Sequence, residues 1–196
     1  MGLQIEDGGG SGRSARVDKE NRLRVFSVTS SIERHINEEE GNAFNLLFTN
    51  TPTYNDPSTV DSDDICFIYM KNESEAFMAL ESIDLRLAGT GQSTIIKIYG
   101  HDTGTPVGGN DTTPANLNLG SGNDPTGTFQ TGSEITGLTK GTQLYQFNIG
   151  SSDTTQSFNF EQDIIVPKNK VITVYSSEAN TEISGQVVFN YHELFV

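Results

Sequence analysis

The run from Ile164 to Tyr175 constrains the fold more than any other stretch of this chain. Ile164, Ile165 and Val166 are β-branched and suit a pleated sheet, and Pro167 has to stop them because it fixes φ and brings no N–H to a ladder. Lys168, Asn169 and Lys170 supply a polar corner, and Val171, Ile172, Thr173, Val174 and Tyr175 then resume strand composition. Two core strands joined at so tight a corner are what a β-sandwich needs where its chain changes direction. The period of two places Ile172 and Val174 on one face of the second strand and Val171, Thr173 and Tyr175 on the other, with Ile172 expected in the core.

Strand character recurs throughout the body. It is expected near Phe44 to Phe48, Ile65 to Lys71, Phe77 to Leu87, Thr94 to Gly100, Leu144 to Ile149, Gln156 to Phe160, Asp163 to Val166, Val171 to Tyr175 and Ser184 to His192. Alternation sets Ala79, Glu81, Ile83, Leu85 and Leu87 against Leu80, Ser82, Asp84 and Arg86. It recurs in Tyr145, Phe147 and Ile149, in Phe158 and Phe160, and in Val187, Phe189 and Tyr191. Short strands separated by turn chemistry, with almost no helical period, predict an all-β fold built as an antiparallel β-sandwich, a barrel being the related alternative. At 196 residues the chain can hold one such domain with an appended arm.

The arm is expected over Met1 to about Asn21, where Gly2, Gly8, Gly9, Gly10 and Gly12 leave no continuous apolar face. The sandwich then occupies residues 22–196, with its first strand over Leu23 to Thr29. Ser30 to Glu40 reads as extended, a short helix capped near Ser31 being the competing reading. Between His101 and about Lys140, glycine and proline recur with few apolar residues, which predicts a long excursion on one edge of the sandwich. Short strand pieces are expected there near Asn116 to Leu119 and Thr126 to Gln130, and the excursion is the expected contact surface.

Charge separates arm from body. The net charge is −14, which argues against nucleic acid or an anionic membrane as partner. Yet the first 36 positions carry six basic residues, Arg13, Arg16, Lys19, Arg22, Arg24 and Arg34, against five acidic ones, Glu6, Asp7, Asp18, Glu20 and Glu33. A mildly basic arm on an acidic body suits an acidic neighbouring surface. Its expected anchors are Leu3 and Ile5 as apolar contacts and Arg13 and Arg16 as charge-assisted ones. No apolar stretch approaches the roughly 20 residues of a membrane span, and Met1 to Gly12 lacks the layout of a secretory signal. Folding in a cytoplasm is therefore expected.

The residues give no catalytic constellation. His101-Asp102-Thr103-Gly104 contains an Asp-Thr-Gly turn, but an aspartic protease needs a second such loop to share its proton, and a structural turn is expected instead. Asp56, Asp61, Asp63 and Asp64 could offer carboxylates to Ca2+ but lack EF-hand spacing, so a solvated acidic loop is expected. His35, His101 and His192 have no metal-ligand spacing. Cys66, the single cysteine, reads as a small buried hydrophobe and excludes an internal disulfide. Asn72-Glu73-Ser74 and Asn110-Asp111-Thr112 match glycosylation acceptors, relevant only to a secreted chain. No enzyme, cofactor or metal is expected.

The run from Gly8 to Thr29, with Arg16-Val17-Asp18 stepping to Arg22-Leu23, and the later Ile164-to-Val174 run resemble small virion structural proteins of tailed bacteriophages. The resemblance covers residues 8 to 50 in sequence and the rest in texture. It implies a jelly-roll or related sandwich behind a glycine-rich arm, and a capsid decoration, cement or collar-type subunit, often trimeric. The partner would be the major capsid protein or another virion subunit, and the location the virion. Such proteins bring no catalytic residues. The alternative is a carbohydrate- or host-receptor-binding module of a tail or fibre. That module would expose aromatic platforms, whereas this chain has no Trp and places its Tyr and Phe in strand patterns.

Overall fold

Every regular element among the described residues is a strand. The structure, a computed structural model, describes residues 5–6, 14–17, 23–24, 41–54, 64–88, 93–150 and 155–192. It divides into two units, Met1–Ser31 and Ile32–Val196. In the first unit, β1 (Ile5–Glu6), β2 (Ser14–Val17) and β3 (Leu23–Arg24) form a small antiparallel sheet. Ile5 lies opposite Ala15, and Arg16 opposite Arg24. Leu3 and Arg13 lie outside the described residues, as do the continuation of the first expected strand to Thr29 and the segment from Ser30 to Glu40.

The second unit is built from β4 (Ala43–Asn50), β5 (Ile65–Asn72), β6 (Phe77–Leu87), β7 (Ser93–Gly100), β8 (Thr103–Val107), β9 (Asn110–Asp111), β10 (Ala115–Asn116), β11 (Gly127–Thr131), β12 (Thr136–Thr139), β13 (Thr142–Gly150), β14 (Gln156–Val166), β15 (Val171–Ser176) and β16 (Ile183–His192). These strands make a five-stranded sheet, β10-β4-β16-β6-β14, and a six-stranded sheet, β13-β7-β15-β5-β11-β9, with β8 and β12 paired separately. The two large sheets pack face to face as an antiparallel β-sandwich. Among strands of six residues or more, taken in chain order, the first, eighth, third and sixth form one sheet. The fifth, fourth, seventh and second form the other. All connections between them but β7 to β13 therefore change layer.

The inward faces meet in one apolar core that draws on every one of these long strands, including Leu46, Phe67, Ile83, Ile98, Ile149, Ile164, Ile172 and Phe189. Aromatic contacts close the sandwich along both sides. On one side Phe189 stacks on Phe44 and on Phe129 of the excursion, with centroids 5.7 and 5.3 Å apart. On the other, Phe147 of β13 stacks on Phe158 of β14, and Tyr145 meets Phe160 edge-on. On the outer face of the five-stranded sheet, Asn45, Gln186, Asp84 and Ser157 form a hydrogen-bonded ladder across four strands.

Ile172 and Val174 lie in the core and Tyr175 on the opposite face, as the period of two requires. Elsewhere bulges shift the phase. Val188 lies opposite Ser82 and Phe189 opposite Leu80, which leaves Glu81 as an extra residue on β6. Leu80 therefore joins Ile83, Leu85 and Leu87 in the core instead of the polar face that uninterrupted alternation gives it. Likewise Gln156 to Phe160 and Asp163 to Val166 are not two strands but one, β14, broken by a bulge between Asn159 and Ile164 with Glu161 at φ 47°. Ile165 is 58% exposed, because only Ile164 and Val166 of that run face inward.

Where β14 passes to β15 the chain crosses between sheets, and the crossing is held by a residue that sequence patterning does not single out. Asn72, at the end of β5, is fully buried. Its amide nitrogen donates to the carbonyls of Val166 and Ala76, both at 2.8 Å, and its amide oxygen accepts from the Ser74 N–H at 2.9 Å. Its backbone N–H donates to Lys170 O and its carbonyl accepts from the Asn169 N–H. Asn169 sits at φ 61°, a conformation asparagine tolerates better than most residues. Asn72→Ala takes one hydrogen-bond partner each from the Val166 and Ala76 carbonyls and from the Ser74 N–H. It is expected to cost about 2–4 kcal/mol, measured as a lowered midpoint in urea with unchanged slope; an unchanged midpoint would show that the corner holds without the amide.

Candidate functional site

Two surfaces of the second unit are built by side chains rather than by strand pairing, and both belong to the excursion between β7 and β13. Its base is a stem in which β8 pairs with β12. Gly104 and Gly137, both at positive φ, let the stem backbones approach: a Cβ on Gly104 would lie 2.2 Å from Gly137 O. The stem lies over the outer face of the six-stranded sheet, where Ile135 and Leu138 cover Cys66, Tyr69 and Tyr175 in a second, small apolar cluster. The Ile135 N–H donates to Cys66 O at 2.8 Å, and the Gly132 N–H to Phe67 O at 3.1 Å.

Charged groups tie the stem down. The Asp64 carboxylate accepts from Lys97 at 2.6 Å and from Lys140 at 2.7 Å. The Lys140 ammonium also stands 5.1 Å from the Tyr175 ring centroid and 5.7 Å from that of Tyr99, within cation–π range. Asp102 is buried and accepts three hydrogen bonds, from Thr173 Oγ1 at 2.8 Å, Tyr175 Oη at 2.7 Å and the Gly141 N–H at 2.8 Å. Asp102 thus serves as a structural clasp at the entry to β8, which Thr103 and Gly104 begin where a turn was expected, and His101 before it is an exposed residue at φ 65°. A cavity of about 500 Å³ opens beside the stem, lined by Asp64, Cys66, Lys140 and Tyr175 among others.

The electrostatics of this cavity oppose nucleophilic chemistry. Burial, with the Asp102 charge second, pushes the Cys66 thiol far up, so that it stays protonated at neutral pH. Burial likewise raises Tyr175 and Tyr99. For Asp64, burial pushes the carboxyl up, but the hydrogen bonds and charges of Lys140 and Lys97 outweigh it and hold the group below the usual carboxylate range. Of the acidic run considered for Ca2+, Asp56, Asp61 and Asp63 lie outside the described residues, and Asp64 is taken up by two lysines. No cluster of His, Cys, Asp and Glu suited to a metal occurs among the described residues. Asn72, the first asparagine of the two glycosylation acceptors, is fully buried, while Asn110 is exposed.

The second surface is the loop from Asn116 to Asn123. A strand was expected over Asn116 to Leu119, but β10 ends at Asn116 because side chains capture the backbone beyond it. The Asn118 N–H donates to Asn116 Oδ1, the Gly120 N–H to Asn118 Oδ1 and the Asn123 N–H to Ser121 Oγ, each two residues back. The loop is pinned to the start of β4: Asn116 and Ser121 both donate to Gly41 O, and Asn123 donates to Asn42 Oδ1. From this fixed base Leu119 projects 96% exposed and Leu117 42% exposed. Beside it lies a groove of about 660 Å³ lined by Asn42, Ser74, Asn123, Asp124 and Tyr191. The Tyr191 ring is nearly buried and its hydroxyl donates to Thr126 O at 2.8 Å.

Of the arm residues expected to bind a partner, Ile5 lies in β1 and Arg16 in β2. The spacing of Asn116, Asn118, Ser121 and Asn123 was a legible turn signal for the loop. Nothing local marks Asp102, whose partners lie 39 to 73 residues away. Comparison with protein families, curated proteins and solved structures finds no match for this chain.

The Asp64 carboxyl, held low in the folded state, contributes stability that is fully present above the unfolded carboxylate value near 4 and is lost as pH falls through the lower folded value. Protection of the stem amides in hydrogen exchange should therefore drop as pH falls below about 4, and Asp64→Asn should remove that step. Lys140→Ala should weaken the stem by about 1 kcal/mol at neutral pH. A wild-type stem indifferent to pH across this range would mean that the ion pairs do not hold it.

Proposed function

We propose that this chain is a non-catalytic structural subunit of a virus particle, a capsid decoration, cement or accessory head protein. Its partner is the major capsid protein or another virion subunit, and it assembles with further copies of itself. The observation that carries the reading is the pinned loop at Asn116–Asn123. At least six hydrogen bonds made by its side chains, three to its own backbone and three to Gly41 and Asn42, hold it in place, and it presents Leu119 almost wholly to solvent. A pre-organised apolar side chain loses little entropy on docking, which is how interface anchors are presented.

Two further features agree with it. The order of the long strands supports reading the sandwich as a jelly roll, an architecture used by viral capsid domains and also by lectins. That is a fold-level analogy and supports assembly no more than sugar binding. The cavity beside the stem holds a protonated thiol and a carboxylate committed to two lysines, an arrangement suited to fastening a loop rather than to turnover. The carbohydrate-binding alternative would use the groove beside Asn123, but the aromatic ring there lies edge-buried and its hydroxyl is committed, so it offers no stacking platform. The segment before the body supplies the second contact in this reading, with Ile5 in β1 and Arg16 in β2 of the small sheet.

The chain should be found in purified particles at fixed stoichiometry. Deleting residues 1 to 21 should leave the melting temperature of the sandwich nearly unchanged and sharply reduce occupancy. Leu119→Asp should also reduce occupancy without loss of stability, as the side chain is exposed. Full occupancy by both variants would remove the arm and the loop as contacts and with them the proposal.

A further inference from the structure

Sheet edges carry rows of unpaired N–H and C=O groups, and proteins protect the ones they do not use. Three of the four outer edges of this sandwich are protected. β9 and β10 are two residues long. β14 carries a four-residue irregularity between Asn159 and Ile164, with Glu161 at positive φ and Asp163 beside it. The fourth edge, β13, has nine residues and, among the described residues, pairs only with β7. No charged residue and no proline occurs from Gly141 to Ser152. Its one irregularity lies between Gln143 and Tyr145, so Tyr145 to Gly150 is a regular, open run. Leu144 and Tyr145 are 42% and 40% exposed.

We infer that β13 is a self-association edge that pairs antiparallel with β13 of a second copy of this chain across a two-fold axis. Self-complementarity, on an edge free of the charge that repels copies elsewhere, selects that occupant. The chain carries −14, and copies repel one another over most of their surface. This edge offers no charge to a partner chosen by opposite sign. What it offers is Gln146 and Asn148, both exposed and on the face opposite the buried Ile149. Each amide is donor and acceptor at once, so the row is complementary to itself when inverted by a two-fold. The axis keeps the two faces in phase, so that amides meet amides on the outside and the aromatic side of each edge continues the other. Each edge then covers its counterpart, and the protected edges stop growth at a pair. The three-fold arrangement implied by the resemblance to phage proteins would have to use other surfaces.

Sedimentation velocity of the full chain at about 0.1 mM, where micromolar interfaces are filled, reads the outcome. Wild type is expected as a dimer. Gln146→Lys with Asn148→Lys, and separately Gln146→Glu with Asn148→Glu, are expected to be folded monomers by sedimentation and circular dichroism. An equimolar mixture of the two is expected to regain the dimer, because opposite charges then face each other across the axis. A monomeric or trimeric wild type, a dimer that survives either double substitution, or a mixture that stays monomeric would each overturn the assignment. The last of these would show that the edge receives a different segment.

Discussion

The amide of Asn72 is the interaction on which the rest of the sandwich depends. A fold whose chain changes layer at almost every connection must satisfy backbone polar groups at corners, where no neighbouring strand can do so. At the Pro167–Lys170 corner Lys168, Asn169 and Lys170 are themselves exposed, but the Asn72 side chain that serves the corner is fully buried. Asn72 meets the need from β5 by reaching the Val166 carbonyl at the end of β14 and the Ala76 carbonyl before β6. Its own backbone groups hold Asn169 and Lys170. One side chain thereby fixes where two strands of one sheet stand relative to a strand of the other. The aromatic stacks along both sides of the core can then close, since Phe158 and Phe129 reach their partners only if the sheets are in register.

With the body closed in this way, the excursion attaches to it at two places. Its loop region lends β11 and β9 to one sheet and β10 to the other, sealing one side of the sandwich, while its stem rests on the outer face of the six-stranded sheet. The energetics of the two attachments differ. The edge strands contribute Phe129 to the main core. The stem is held by a small apolar cluster, by the Asp102 clasp and by ion pairs whose lysines keep 19 and 32% of their side-chain surface exposed. The stem is therefore the softer of the two, and its fastening responds to pH through Asp64. The loop that presents Leu119 is pinned instead to Gly41 and Asn42, at the start of β4 on the rigid body.

How much of this was legible follows from which signals are local. The limits of β6 and the facing of Ile172, Val174 and Tyr175 follow from β-branched runs and a period of two, and the structure reproduces them. The corner at Pro167 was legible for the same reason: proline, then asparagine, then β-branched residues. The side on which Leu80 falls was not, because the extra residue at Glu81 exists only relative to the register of β16. The break within β14 was visible as a gap between two strands but not as a bulge, since that distinction rests on Ile164 pairing with Leu80. Asn72 looked like a glycosylation acceptor and Asp102 like part of a turn. Their partners, Val166 and Tyr175, lie 94 and 73 residues further along the chain, beyond the reach of any local pattern.

Native-state hydrogen exchange tests the central role of Asn72 most directly. The amides of Asn72 and Asn169, which close the corner, should exchange only through global unfolding, with the same free energy as core amides such as Ile68 and Ile98. Those of the stem in β8 and β12 should exchange through a local opening of lower free energy. Corner amides that exchange as readily as the stem would contradict the account, because the sandwich would then keep its core while the corner opened.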